Sequence, residues 1–91
     1  MEQSPLGVYA VTLHKQVEKF LRKHPDLREK WSDIEKTLVY RPLVGPQITH
    51  LKGELFCSRR WRVDPYRVLY DVDEDGHVVF VFRADTRGDI Y

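Results

Sequence analysis

Apolar residues recur along this chain with two different periods, and the change from one to the other divides it into elements. "LGVYAVTL" (6–13) is a short run of β-branched and aromatic residues and predicts a first strand. Val17, Phe20, Leu21 and His24 then fall at helical spacing, with Lys15, Glu18, Lys19, Arg22 and Lys23 on the other side, until Pro25 stops the element. Asp26 is placed to cap a second helix with the stripe Leu27, Trp31, Ile34 and Leu38, which Arg41-Pro42 breaks. "RPLVGPQITHLKGE" (41–54), with two prolines and two glycines, reads as a long loop. Three runs of period two follow, "LFCSRRWRV", "YRVLYDV" and "HVVFVFRA", separated by Asp64-Pro65 and Asp75-Gly76. The second pair suits a type I′ turn, whose central residues need positive φ. The order predicts an α+β domain over residues 1–91: an N-terminal strand, a helical hairpin, and a three-strand antiparallel meander. Together the strands make one four-stranded sheet, with the hairpin packed on one face.

Alternation assigns the faces. With a two-residue turn at Asp64-Pro65, Val63 stands opposite Tyr66, Arg62 opposite Arg67 and Trp61 opposite Val68. Trp61, Val63, Tyr66, Val68, Tyr70 and Val72 then share the face under the helices, and Trp31 and Trp61 are packing residues. Arg60, Arg62 and Arg67 share the opposite face. By the same parity Val78, Phe80 and Phe82 join them beside Leu69, so that face is cationic at one end and apolar at the other.

Composition narrows the class. The chain of 91 residues is 42% hydrophobic and 32% charged, has no run long enough to span a membrane, and opens on "MEQSPLGVYA", which lacks the pattern of a secretory signal. A cytoplasmic protein is expected. The single Cys57 excludes an internal disulfide and is expected in a strand. His14, His24 and His77 fit no metal-ligand spacing, and no cofactor motif is present. Net charge is only +1, but it is unevenly spread. Residues 41–67 hold six Lys/Arg against two Asp/Glu, and residues 71–91 hold two against six.

The basic segment carries the candidate chemistry. Like charges directly opposite in a sheet destabilise it by roughly 0.2–1 kcal/mol, so Arg62 and Arg67 call for a compensating group. Two readings follow: surface ion pairs with Asp71, Asp85 or Asp89, or a phosphate site, since guanidinium forks match phosphate oxygens and stay charged at any working pH. Arg59 on the arginine strand, and His50 and Lys52 in the loop just before it, extend the set of candidate phosphate contacts, a solvated loop being the other reading for His50 and Lys52.

The order of elements, the "LKGEL" (51–55) leading into a strand, the "RWRVDPYRVLYDVDEDG" hairpin (60–76) and the ending "RGDIY" (87–91) together resemble the RelE/ParE superfamily of type II toxins. The resemblance spans essentially the whole chain. It implies a small twisted sheet with a helical hairpin, a basic concave face, and a cognate antitoxin that holds the toxin inactive and recruits it to operator DNA only as a complex. RelE-like members cleave mRNA on the ribosome without a metal, whereas ParE-like members poison DNA gyrase. By resemblance to the RelE-like enzymes, Arg67 matches the phosphate-stabilising hairpin arginine, Arg60 a basic strand residue, and Arg87 and Tyr91 the closing motif. Leu69, Phe80 and Phe82 are the expected antitoxin contacts. Ser58 and Arg60 stand where those nucleases tend to carry lysines, and Thr86 where many carry histidine, so the general base and acid stay open. The reading favoured is a ribosome-dependent endoribonuclease. The alternatives are a gyrase inhibitor without catalysis, or a family member that only binds its antitoxin and helps repress its own operon.

Overall fold

The computed structural model describes residues 8–51 and 58–86. Its elements run β1 (Ala10–Leu13), α1 (Lys15–Lys23), α2 (Pro25–Tyr40), β2 (Ile48–His50), β3 (Ser58–Val63), β4 (Tyr66–Asp73) and β5 (Val78–Thr86). The strands form one sheet in the order β1-β5-β4-β3-β2, antiparallel except where β1 runs parallel to β5. The helical hairpin therefore carries the chain from one edge of the sheet to the other and covers one face on the way.

Each helix follows from its stripe and its ends. In α1, Val17 and Leu21 are buried one turn apart, and His14 Nδ1 accepts the Gln16 N–H (3.0 Å) as the cap. Pro25 opens α2 at its first turn, where a missing N–H costs nothing. Asp26 lies within that first turn rather than at the cap, a position held by His24. Leu27, Trp31, Ile34 and Leu38 then bury the face of α2 that meets the sheet. They pack against Trp61, Tyr66, Val68, Tyr70, Val79, Val81 and Ala84, each fully buried leucine contributing roughly 1.5–3 kcal/mol. The α+β architecture and the core face are those the pattern predicts.

Three details differ from the expectation. The sheet has five strands, because Ile48–His50 inside the Pro/Gly-rich stretch pairs with β3, and bonds from Arg62 N–H to the Gln47 carbonyl (2.9 Å) and from Leu51 N–H to the Ser58 carbonyl (3.0 Å) extend the ladder. Three residues are too few to show an alternation.

The β4–β5 connection is longer than a two-residue turn. Asp73 pairs with Val78, and the positive φ (56°) falls on His77 rather than on Asp75-Gly76. Asp73 Oδ1 accepts the Gly76 N–H (3.0 Å), and a Cβ at Gly76 would sit 2.7 Å from Asp73 Oδ2. Glycine lets the Asp73 carboxylate close over the turn, and a side chain at 76 would have to displace it.

Finally, β5 carries a bulge. Tyr70 pairs with Val81 but Leu69 pairs with Arg83, so Phe82 has no residue opposite it. Beyond it the parity of β5 reverses, which is why buried Ala84, and not residue 83, follows Val79 and Val81 on the core face. Gln16 supports this segment from the side: its amide nitrogen donates to the Ala84 carbonyl (2.8 Å) and its amide oxygen accepts the Ala84 N–H (3.0 Å). A side chain thus continues the ladder that β1 leaves at Leu13.

Candidate functional site

The face of the sheet turned away from the helices can be laid out from the registers. Nearest the Asp64-Pro65 turn, Arg62, Arg67 and Asp85 stand side by side; the next row is Arg60, Leu69 and Arg83; the next is Ser58, Asp71 and Phe80, with Thr12 of β1 beyond. The pairing of Arg62 with Arg67 and of Trp61 with Val68 is the one alternation predicts, so Arg60, Arg62 and Arg67 do share a face.

Arg67 is held where it is. Its side chain is 10% exposed, and Nη1 donates both to Asp64 Oδ1 and to the Tyr66 carbonyl, each at 2.9 Å. Both bonds use one nitrogen, which leaves Nη2 and Nε without a hydrogen bond among the described residues. A ligand could take them as a fork.

Arg62 is exposed and makes no ion pair among the described residues. Arg60 is half-buried, and burial together with the Arg67 and Arg62 guanidiniums holds its pKa below the ordinary arginine value. It remains a cation at neutral pH. Three guanidiniums on adjacent strands, one of them desolvated, are mutually repulsive, and a bound phosphate would relieve that repulsion.

Among the described residues, Asp71 and Asp85 are engaged elsewhere than by Arg62 and Arg67. The Asp71 carboxylate accepts the Ser58 hydroxyl, and Asp85, although opposite Arg67 in the ladder, is engaged by Arg83 Nε (2.9 Å) and Nη2 (2.8 Å). The partner of Arg67 is Asp64, three residues away across the turn. That pairing was legible as soon as a tight turn was assigned. Arg83 was not, because parity without a bulge puts it on the core side. The signal was the shift of small apolar positions in "VFVFRAD", from 79 and 81 to 84.

Two expected phosphate contacts lie elsewhere. Arg59 is on the helix-side face, with Nε donating to the Leu43 carbonyl (3.1 Å), and His50 stands opposite Arg59 in the β2–β3 ladder, hence on that same side. Adjacent strand residues point to opposite faces, so Arg59 and Arg60 cannot serve one phosphate. Lys52, Cys57, Asp89 and the closing Arg87 and Tyr91 lie outside the described residues. Leu69 is buried within the chain itself (4% exposed), while Phe80 is exposed and Phe82 half-buried. Trp31 and Trp61 are core residues, as predicted.

Behind the arginine row, Tyr66 ties β4 to the helix corner. Its hydroxyl donates to both Asp26 carboxylate oxygens (2.9 and 2.8 Å), which holds the Asp26 carboxyl below its usual range and pushes the Tyr66 hydroxyl above its own. His24, stacked on Phe20 at 3.9 Å, meets Tyr66 edge-on at 5.3 Å. The residue before Arg67 is therefore anchored to the hairpin.

Known proteins share this fold. The family model described as "ParE toxin of type II toxin-antitoxin system, parDE" matches residues 11–91. A chain of the archaeal RelE-RelB complex from Pyrococcus horikoshii superposes with a TM-score of 0.74 at 28% identity, covering 90% of this chain and 98% of that one. A chain of the toxin-antitoxin complex RelBE2 from Mycobacterium tuberculosis gives 0.69 at 28% identity, over 88% and 99%. The YoeB/ParE toxin from Agrobacterium tumefaciens, at 18% identity, shares the fold with a TM-score of 0.72 over 86% and 98%. No curated protein matches the chain.

Proposed function

This chain belongs to the RelE/ParE superfamily of type II toxins, and from that premise we propose that it is the RelE-like kind, a ribosome-dependent endoribonuclease that cuts translated mRNA and so arrests translation. The observation that supports this reading is the triad of Arg60, Arg62 and Arg67 on one face, with Arg67 oriented by Asp64 and two of its nitrogens without a hydrogen bond among the described residues.

The reaction such a face serves is transfer of a phosphate from the 5′-oxygen to the neighbouring 2′-oxygen. The 2′-hydroxyl loses its proton to a base as its oxygen bonds to phosphorus; the bond to the 5′-oxygen breaks, and an acid protonates that oxygen. Charge accumulates on the phosphate oxygens in between. Fixed guanidiniums stabilise that charge without reorganising, which makes Arg67 the main electrostatic contributor, with Arg60 and Arg62 beside it. Arginine cannot act as the base. Tyr91, Arg87 and Lys52 remain candidates for proton transfer and phosphate contact from the resemblance.

Its partner is a cognate antitoxin, in keeping with the toxin-antitoxin complexes among its structural relatives. Phe80 and Phe82, rather than buried Leu69, offer the apolar surface it would cover, and operator DNA is bound only through that complex. Among the described residues no helix is long and apolar enough to cross a membrane.

A gyrase poison is the second reading, favoured by the family description and by the absence of a lysine at 58 or 60 and of a histidine at 86. Mapping RNA 5′ ends at the onset of growth arrest, in cells expressing the protein under tight control, separates the two. Cuts within translated codons that vanish in Arg67→Ala uphold the nuclease. Arrest with intact mRNA and an induced DNA-damage response overturns it.

A further inference from the structure

The bulge at Phe82 gives the arginine face an extension that alternation alone does not. It turns Arg83 outward to stand beside Leu69, so buried Leu69 has a guanidinium on each side, Arg60 on β3 and Arg83 on β5. The Arg83 side chain is 49% exposed, and Asp85 fixes it through Nε and Nη2, which leaves Nη1 without a partner among the described residues. One ladder step further along the same face is Phe80, 38% exposed. Its ring has Phe82 on one side (centroids 6.5 Å apart, planes inclined by 33°) and the edge of His14 on another (6.4 Å). The aromatic shelf is supported but its outer surface is open.

Exposed aromatic rings interleaved with cations are the means by which proteins hold single-stranded nucleic acid, the rings stacking bases and the cations tracking phosphates. A protein partner alone is a weaker match. With Leu69 buried, the apolar surface among the described residues of this end of the face comes down to exposed Phe80 and half-buried Phe82, next to the row of Arg60 and Arg83. Resting on the endoribonuclease reading, we infer that Phe80 and Arg83 form a second subsite for single-stranded RNA: a nucleobase next to the cleaved phosphate stacks on Phe80, and the phosphate following it meets Arg83. The RNA then crosses the sheet from β3 over β4 to β5, and Asp85 acts as a positioning residue for Arg83. An antitoxin that covers Phe80 would compete with the substrate for the same ring.

The test is cleavage by the purified protein on ribosomes programmed with a short mRNA that carries an abasic nucleotide, placed in turn at each position of the exposed codon. Phe80→Ala is expected to lower kcat/KM roughly tenfold on intact RNA, and Phe80→Tyr to restore it. At one position the abasic nucleotide should cost the wild type a similar factor and cost Phe80→Ala almost nothing more. Arg83→Ala should show a smaller loss, about threefold, that shrinks as salt is raised. If Phe80→Ala cleaves like the wild type while Arg67→Ala does not cleave, the subsite is wrong and the nuclease reading stands. Equal abasic penalties in wild type and Phe80→Ala have the same meaning, as does a Phe80→Ala protein that has lost only antitoxin affinity. A wild type that leaves programmed mRNA intact overturns both.

Discussion

The two faces of β4 bury their residues for opposite ends. Toward the helices, Tyr66, Val68 and Tyr70 are buried among apolar neighbours, and each tyrosine hydroxyl that reaches the edge of the core finds an acceptor: Asp26 for Tyr66, and the Pro42 carbonyl at 2.6 Å for Tyr70. Away from the helices, Arg67 and Leu69 are nearly as buried, but Arg67 stands between Arg62 and Asp85 with Arg60 one row away, and among the described residues its hydrogen bonds use Nη1 alone. On the first face both tyrosine hydroxyls are satisfied, and the indole Nε1 of Trp31 is the polar atom of that core left buried without a partner among the described residues. The second gathers three guanidiniums close enough to repel one another. A sheet under selection for stability alone has no reason to keep three arginines on two adjacent strands of one face, and the difference between the faces is what marks the site.

If the contrast is right, substitutions on the two faces separate stability from activity. The largest effect is expected from Arg67→Ala, which should lower cleavage by about 100- to 1000-fold, as removal of a charge-stabilising donor does. Its melting temperature should stay within a few degrees of the wild type, because loss of packing is offset by relief of repulsion from Arg60 and Arg62. Next comes Leu27→Ala, fully buried under the sheet and expected to cost about 2–5 kcal/mol in urea unfolding while the remaining folded protein cleaves normally. Tyr70→Phe strands the Pro42 carbonyl in the core and should cost roughly 1–3 kcal/mol by the same measurement.

The smallest effect belongs to the helix corner and has a pH signature. The Asp26 pKa is depressed by the Tyr66 hydroxyl, so its contribution is complete above the ordinary aspartate value of about 3.9 and is lost as pH falls through the folded value. The Tyr66 pKa is raised, so the contribution also fades as pH climbs past the ordinary tyrosine value of about 10. The melting temperature of Tyr66→Phe should therefore lie below that of the wild type between those limits and converge with it in acid. A gap that persists unchanged in acid would mean that the ring, not the hydroxyl, holds the corner.

What could be read in advance follows the range of the determining contacts. The β3–β4 register was legible because a short turn between two alternating runs leaves one parity, and that parity put Arg62 opposite Arg67 and Trp61 in the core. The helices were legible because Leu27, Trp31, Ile34 and Leu38 span enough turns for a period to show. The bulge was not, since it depends on how β5 meets both β4 and the Gln16 side chain, and its effect was to move Arg83 to the functional face. The short β2 was hidden because its pairing with β3 is tertiary. For Arg59 and His50 the information was available in the alternation itself: Arg59 neighbours Arg60 in sequence and therefore points away from it.

The parallel pairing of β1 with β5 bears on the order in which the molecule comes into being. Of the described strands, Ala10–Leu13 is synthesised first and Val78–Thr86 last, yet the second is the strand with which the first pairs. Long-range pairing of this kind forms slowly and cannot begin until both segments exist. A nascent chain thus carries its first strand unpaired through most of its translation. The row that completes the cationic surface, Asp85 and Arg83 on β5, is laid down near the end. The surface proposed to act on translating ribosomes is therefore assembled only when the protein's own translation is almost finished.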